Sequence, residues 1–186
     1  YELLAFYMED IMNVDTSGCE VPSMDNWGFE ASTTWDPPNG WSKNQIDDFT
    51  VAELTEGAPE GAVAAMVTWS TTDNRDLLPT YKPAVEAGKS YTASLWVMDS
   101  EPCGRVRMGM MFFDADGAKL ETAYSKDYSE DQMEWQQLAV TEVAPEGAVS
   151  AQPLVRFYDV KKCAPEGEEW TSATVHIDLL EVKAAE

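Results

Sequence analysis

The run Ser90-Tyr-Thr-Ala-Ser-Leu-Trp-Val-Met98 alternates between the two faces that a half-buried β-strand requires. Successive side chains of a strand point to opposite sides of its sheet, so one set of this run faces a core and the other faces outward. The inward set is Tyr91, Ala93, Leu95 and Val97. The outward set is Thr92, Ser94, Trp96 and Met98. The run therefore predicts a sheet with one buried side, which is typical of antiparallel β-proteins.

Similar runs fill the rest of the chain from about residue 45, with Pro, Gly, Asp and Asn between them. They are Phe49–Leu54, Val63–Thr71, Arg105–Phe113, Trp135–Val143, Gln152–Val160 and Thr174–Val182. Together with the first run they predict seven strands and an all-β, antiparallel β-sandwich of the jelly-roll kind. The motif Ala-Pro-Glu-Gly at 58–61, 144–147 and 164–167 predicts tight turns, because Pro presets φ and Gly tolerates a positive φ.

The length of 186 residues fits one domain. Residues 25–186 are expected to form the sandwich, and residues 1–24 a separate N-terminal segment. In that segment Leu4, Phe6 and Met8 suit one face of a strand, but other apolar positions fall at helical spacing. The segment either packs on its own domain or completes the sheet of a neighbouring subunit, with Leu4, Phe6 and Met8 as assembly residues.

The charge of the chain excludes several partners. Thirty-four acidic residues against 12 basic ones give a formal net charge of −22, which repels nucleic acids and anionic lipid surfaces. No run of 18 apolar residues is present, so no membrane-spanning helix is expected. The chain begins at Tyr1 instead of Met, as a trimmed chain or the mature form of an exported protein would. We expect a secreted or cell-surface location.

The three cysteines, Cys19, Cys103 and Cys163, show no CxxC spacing, and the chain has one histidine. A zinc site is therefore not expected. Cys103 and Cys163 both stand beside Pro in loop-like contexts, and a disulfide between them would suit an oxidising compartment. The alternative is three unpaired thiols.

Four motifs occur in an order that resembles a known family. Asp25-Asn-Trp-Gly-Phe-Glu30, followed by Trp41, comes first. Gly88-Lys-Ser-Tyr-Thr-Ala-Ser-Leu-Trp-Val97, Trp135-Gln-Gln-Leu-Ala-Val-Thr141 and Val175-His-Ile-Asp-Leu-Leu180 follow. Over roughly residues 25–182 this pattern resembles the jelly-roll carbohydrate-binding modules that are appended to xylanases and glucanases. The chain departs from the pattern at Leu179, where the family carries a second Asp.

The resemblance implies a non-catalytic β-sandwich, a structural calcium ion where the N-terminal turn meets the last strand, and a sugar-binding sheet. Glu30 and Asp178 match the metal positions, and carboxylate oxygens are the ligands that calcium prefers. The alternative is that both residues cap turns or are hydrated.

Sugar binding requires flat aromatic rings and polar groups at their edges. Three of the four arginines, Arg105, Arg107 and Arg156, fall on outward strand positions, and Trp69 lies where the family often carries a stacking ring. The predicted ligand-binding residues are Trp69, Trp96, Arg105, Arg107, Phe113, Arg156 and Tyr158. Because arginine pairs with carboxylates, the set indicates an acidic polysaccharide; the alternative is that the arginines pair with the chain's own Asp and Glu.

Catalysis is not expected. His176 is the only histidine and has no nucleophile motif beside it. The sequence therefore predicts a non-catalytic, extracellular carbohydrate-binding module. The alternative is a structural subunit of an extracellular assembly or surface filament, joined through the apolar N-terminal segment.

Overall fold

The computed structural model describes residues 27–44, 47–158 and 172–185, which form ten strands and no helix. The strands are β1 (Trp41–Lys43), β2 (Phe49–Leu54), β3 (Ala64–Trp69), β4 (Arg75–Pro79), β5 (Ser90–Asp99), β6 (Arg105–Phe113), β7 (Lys119–Tyr124), β8 (Gln132–Val143), β9 (Ser150–Tyr158) and β10 (Ala173–Ala184). All pairings between these strands are antiparallel. The prediction of an all-β sandwich is confirmed.

The strands form two five-stranded sheets. The first sheet has the order β1-β4-β9-β6-β7, and the second sheet has the order β2-β3-β10-β5-β8. Neighbours in each sheet are often distant in sequence, and β10 lies between β3 and β5 in the middle of the second sheet. Consecutive strands β5 and β6 belong to different sheets, so the loop between them crosses the sandwich.

The core lies between the inner faces of the two sheets. Phe157 of the first sheet contacts Phe49 and Trp69 of the second, with both pairs of ring centroids 5.2 Å apart. The predicted alternation is confirmed in β5, β6 and β9, where the inward positions are buried. Burial of these aliphatic and aromatic side chains supplies the main favourable free energy of the fold.

The first two Ala-Pro-Glu-Gly motifs form the expected turns. Gly61 has φ 66° and Gly147 has φ 85°, a backbone region that L side chains rarely adopt. Strand β3 begins at Ala64 and β9 at Ser150, directly after these turns. The third motif, at residues 164–167, lies outside the described residues.

Three strands, β1, β4 and β7, are absent from the sequence prediction. The strands β1 and β7 are the two edges of the first sheet, and edge strands are often short or carry charged side chains, which discourage pairing with other chains. Strand β4 has only five residues and begins with Arg75, which is buried and forms a two-pronged ion pair with Asp48. A charged inward position breaks the apolar alternation on which the prediction depends.

Several predictions fall on residues that the structure does not describe. These are the assembly residues Leu4, Phe6 and Met8, the division of the chain at residues 24 and 25, and the disulfide partner Cys163. They stay predictions. None of the described residues belongs to a helix that is long and apolar enough to cross a membrane.

Candidate functional site

The outer face of the first sheet carries a group of arginine and tyrosine side chains. Arg107 on β6 lies opposite Arg156 on β9, and Tyr158 lies opposite Arg105, one step along the same two strands. Tyr124 ends β7, and Tyr128 stands in the segment that follows it. We call Tyr124, Tyr128, Tyr158, Arg107 and Arg156 the tyrosine–arginine face.

The two guanidinium groups of this face lie against tyrosine rings. The Arg107 guanidinium carbon is 4.8 Å from the ring centroid of Tyr128 and 5.3 Å from that of Tyr124. The Arg156 carbon is 5.1 Å from the centroid of Tyr124. Tyr128 and Tyr158 contact edge to face, with centroids 5.3 Å apart. Cation–π attraction therefore holds the two cations and the three rings together as one amphipathic cluster.

The arginines of the face differ in how their charge is balanced. Nε and Nη2 of Arg156 donate to the two carboxylate oxygens of Asp76 at 2.6 and 2.7 Å, and this hydrogen bonding raises the pKa of Arg156. Nε of Arg107 donates to the carbonyl oxygen of Ser125 at 2.9 Å, and its Nη2 donates to the same oxygen. Among the described residues, no carboxylate forms an ion pair with Arg107.

Gly109 sets the position of the Tyr124 ring. It lies opposite Tyr124 on β7 and opposite Leu154 on β9. A Cβ at residue 109 would lie 3.0 Å from ring carbon Cδ1 of Tyr124 and 3.0 Å from Cγ of Leu154. The missing side chain lets the tyrosine ring lie close to the backbone of β6, as cross-strand aromatics do over strand glycines. Partial burial raises the pKa of Tyr124 and of Tyr158, so their hydroxyls stay neutral near pH 7.

A buried hydrogen-bond network holds the segment that carries Tyr128. The Ser129 hydroxyl donates to Oδ2 of Asp99 at 2.5 Å and accepts from the amide of Val106 at 2.8 Å. The amide of Ser129 donates to the Val106 carbonyl at 2.9 Å. Asp99 is fully buried, and desolvation raises its pKa to about 6. Three hydrogen bonds of Ser129 therefore anchor the backbone next to Tyr128, although 43% of Tyr128 is exposed.

The structure does not place four of the predicted ligand-binding residues in the tyrosine–arginine face. Trp96 is half-buried on the outer face of the second sheet, on the opposite side of the sandwich from Arg107. Alternation along β5 correctly predicts that Trp96 faces outward. It cannot tell which of two sheets a strand joins.

Trp69 was expected to stack on a sugar but is completely buried against Phe157. Phe113 faces outward but is only 8% exposed, because Nζ of Lys82 lies 3.5 Å from its ring centroid. Arg105 donates from Nη1 to the carbonyls of Glu101 and Gly104 and lies near Asp99, at 3.6 Å. It therefore braces the β5–β6 loop. Arg107, Arg156 and Tyr158 are brought together as the pattern predicts.

Tyr124 and Tyr128 are the site residues that the sequence reasoning missed. Tyr124 belongs to β7, a strand that the sequence analysis does not predict because its residues are mostly polar. A usable signal stands just before that strand: Asp116-Gly117 follows the apolar run of β6, and Asp-Gly between two strands is a strong hairpin signal. Gly117 has φ 80°, and its amide donates to the Asp114 carbonyl at 3.1 Å.

The predicted metal residues Glu30 and Asp178 lie near enough for their charges to interact, and Asp178 is in the middle of β10, opposite Trp96 of β5. Asp178 is fully buried. Burial raises its pKa to about 6, the backbone amides of Leu179 and Glu60 oppose this rise, and the nearby carboxylates of Glu30 and Glu60 add to it. We call Glu30, Glu60 and Asp178 the acidic corner. Oε1 of Glu30 accepts from the amides of Ala62 and Val63 at 2.9 and 3.0 Å, as the turn-capping alternative expects.

The acidic corner fits a hard cation in one respect. Oδ1 of Asp178 accepts from the Leu179 amide at 2.7 Å, whereas Oδ2 is buried and has no hydrogen-bond partner among the described residues. A buried carboxylate oxygen without a partner is costly unless a cation balances it. The described residues contain no group of three or more His, Cys, Asp or Glu side chains arranged to hold a metal ion, so backbone carbonyls and water would have to supply most ligands of a calcium ion.

No protein-family model matches the chain, and no curated protein matches it. Solved structures of the same fold exist. The tailspike protein 4 of bacteriophage CBA120, in its enzymatically active domain, superposes with a TM-score of 0.58 at 11% identity, over 79% of this chain and 20% of the tailspike chain. An N-terminal part of the xylanase Xyn10B of Clostridium thermocellum, with CBM22-1 and GH10 modules, is covered to 26%. The chain spans far less than two thirds of both proteins.

Two isolated modules are covered almost completely. The C-terminal family 22 carbohydrate-binding module of Clostridium thermocellum Xyn10B has a TM-score of 0.56 at 16% identity, over 85% of this chain and 91% of the module. The CBM22-2 xylan-binding domain of Paenibacillus barcinonensis Xyn10C has a TM-score of 0.56 at 13% identity, over 79% and 92%. The TM-scores show a shared fold at low identity: the chain has the β-sandwich fold of these modules. The ordered sequence motifs resemble carbohydrate-binding modules that are appended to xylanases and glucanases, which agrees with this fold.

Proposed function

We propose that the chain is a non-catalytic carbohydrate-binding module that holds a polysaccharide across the tyrosine–arginine face. The observation that carries this proposal is the joining of three tyrosine rings and two guanidinium groups on one open sheet surface. Such rings offer a flat apolar surface for a pyranose, and the guanidinium and hydroxyl groups offer hydrogen bonds to its edges. The fold shared with xylan-binding modules supports the same function.

The charge distribution favours a sugar polymer that carries carboxylates. Arg156 and Arg105 lie beside Asp76 and Asp99, in agreement with the alternative that arginines pair with the chain's own acids. Arg107 has no such partner among the described residues, and it lies between Tyr124 and Tyr128. A carboxylate docked there would form a charge-assisted hydrogen bond in a partly desolvated place. Arg107 is therefore the residue that would select an acidic sugar.

Affinity electrophoresis in gels containing neutral or uronate-rich polysaccharides tests this function. Arg107→Gln and Tyr128→Ala are each expected to weaken retention about tenfold, since a ring or cation–π contact contributes about 1 kcal/mol or more. Arg107→Gln is expected to affect the uronate-rich polymer more than the neutral one. Equal loss on both polymers would remove the acidic preference and leave the carbohydrate function standing.

Trp96→Phe is the matched control, because Trp96 is a half-buried aromatic on the outer face of the other sheet. It should leave retention unchanged. Binding that is lost with Trp96→Phe but kept in both face variants would contradict the proposed face. A broad screen in which the parent protein retains no polysaccharide would contradict the function itself.

Three further expectations accompany this function. We place a structural calcium ion at the acidic corner, where Oδ2 of Asp178 has no partner among the described residues. We also propose the Cys103–Cys163 disulfide. Cys103 is buried in the β5–β6 loop. The third expectation is an extracytoplasmic location, which both a disulfide and calcium ligation would suit.

A further inference from the structure

The outer face of the second sheet carries a row of soft ligands that the carbohydrate function does not use. His176 on β10 lies opposite Met66 on β3 and opposite Met98 on β5. All three side chains are half-buried. We call Met66, His176 and Met98 the methionine–histidine row.

The hydroxyl contacts of the sheet show that the row shares one face. Thr68 and Thr174, each two residues from a member of the row, have hydroxyl oxygens 2.9 Å apart. Residues two apart on a strand share a face, so Met66 and His176 lie on the same side as that hydroxyl pair. On β5 the hydroxyl of Thr92 contacts that of Thr141 on β8 at 2.8 Å, and Met98 has the same parity as Thr92.

The chain neighbours of the row, Val67, Val97 and Ile177, are all fully buried in the core. The three members of the row therefore lie on the opposite, outer face. Directly opposed residues on neighbouring antiparallel strands have Cβ atoms about 4.5–5.5 Å apart. A methionine side chain has three rotatable bonds, so both thioether sulfurs can lean over the imidazole that stands between them.

The imidazole has an unsatisfied nitrogen. Nδ1 of His176 is buried and has no hydrogen-bond partner among the described residues. A buried polar atom without a partner costs about 1–3 kcal/mol, so it needs an explanation. A metal ion bound to this nitrogen would remove the cost, and the thioethers of Met66 and Met98 on the two neighbouring strands could complete its coordination.

The ligand set determines the kind of metal. The two thioethers are soft ligands and the imidazole is an intermediate one. All three are neutral, a set that favours Cu(I) over calcium or magnesium. The net charge of −22 raises the local concentration of any cation at the protein surface. We propose that the methionine–histidine row binds a soft monovalent cation of the Cu(I) type. The site lies on the opposite side of the sandwich from the tyrosine–arginine face and does not depend on it.

Silver ion is the probe for this site, because Ag(I) shares the soft-ligand preference of Cu(I) and is not oxidised in air. Cysteine thiolates also bind soft metals, so the thiols are alkylated first. With methionine methyl groups labelled with ¹³C, one equivalent of Ag(I) is expected to shift the methyl signals of Met66 and Met98 and the ring signals of His176. In calorimetry, Met66→Leu, Met98→Leu and His176→Gln should each weaken Ag(I) binding more than about tenfold, a loss that even outer-shell changes can produce.

Met111→Leu is the matched control, because Met111 is half-buried on the outer face of the first sheet, opposite Gln152 and Thr122. Met133→Leu is a second control at a residue that is 82% exposed. Leucine preserves volume, so thermal unfolding should show folded variants. The proposal is overturned if Ag(I) affinity survives all three row variants, or if the methyl signals that shift are those of Met111 and Met133. The methyl spectra use the parent chain and decide the matter even if a variant fails to fold.

Discussion

The two outer faces of the sandwich differ in the chemistry of their exposed side chains, although both are built on five-stranded antiparallel sheets. On the first sheet, Arg107 and Arg156 lie within about 5 Å of tyrosine rings. On the second sheet, the middle strands present hydroxyls, thioethers and one imidazole. We therefore propose the first surface as the sugar-binding one and the second as the site of a small soft ion.

Alternation along a strand does not by itself define a binding face. Arg107 and Trp96 both occupy outward positions on long strands, yet they lie on opposite sides of the molecule. The first face is a candidate site because β9, β6 and β7 lie side by side in the first sheet. This arrangement depends on the order of the strands in the sheet, which alternation within one strand does not reveal.

The largest expected effect concerns Asp99, which lies on β5 of the second sheet and binds the segment that carries Tyr128. Its pKa is raised from 3.8 to about 6 in the folded protein, so the folded state binds the proton more tightly than the unfolded state. Its contribution is therefore favourable below about pH 4 and is lost as the pH rises toward 6. The loss is about 3 kcal/mol at 1.36 kcal/mol per pKa unit.

Asp99→Asn should remove this pH dependence, because the amide stays neutral and its oxygen can still accept from Ser129. Urea unfolding from pH 4 to pH 7 would show a flatter profile for the variant and a stability gain above pH 6. Polysaccharide retention per folded molecule should persist, because the bond that positions Tyr128 remains. An unchanged slope would mean that Asp99 is not the group that titrates.

The next effect concerns the acidic corner. Calcium at a hundred times its dissociation constant is expected to raise the free energy of unfolding by about 2.7 kcal/mol, measured by urea unfolding with and without chelator. Asp178→Asn should abolish the calcium effect, and Asp131→Asn, at an exposed position, should preserve it. Because the acidic corner is separate from the tyrosine–arginine face, removal of the ion should leave retention by folded protein intact. A calcium effect that persists in Asp178→Asn would place the ion elsewhere.

The smallest effect compares two similar hydroxyl pairs on the second sheet. Thr68→Val removes the half-buried hydroxyl bond to Thr174 and should cost about 1 kcal/mol. Thr92→Val removes the exposed bond to Thr141 and should cost less, because water replaces it. Neither variant should change polysaccharide retention, which belongs to the other face. Chemical denaturation resolves the two, and a larger loss for Thr92→Val would contradict the burial argument.

Sequence reasoning succeeded where a single strand carries the information. The bounds predicted for β2 and β6 agree with the structure, and the outward positions of Arg107, Arg156 and Tyr158 follow from alternation. It failed where the burial of a side chain depends on residues outside its own strand. Trp69 is buried because Phe157 of the other sheet covers it, and Phe113 is buried because Lys82 lies over its ring.

Tyr128 shows the same limit in a different form. It stands in an irregular segment, held by Ser129 against Asp99 and Val106. Ser129 is 30 residues from Asp99 and 23 residues from Val106 in sequence, and no periodicity links it to them. A site assembled in this way becomes visible only when the strands are paired.

The central place of β10 has a consequence for how the protein is made. During synthesis β3 and β5 leave the ribosome before β10, and each needs β10 as a hydrogen-bonded neighbour. Until residues 173–184 have emerged, the second sheet exists only as two separate halves, β2-β3 and β5-β8, each with an open edge. Open edges invite pairing with other chains, and long-range pairings form slowly. A nascent chain stalled ahead of β10 would therefore be the species most exposed to aggregation and most in need of chaperone protection.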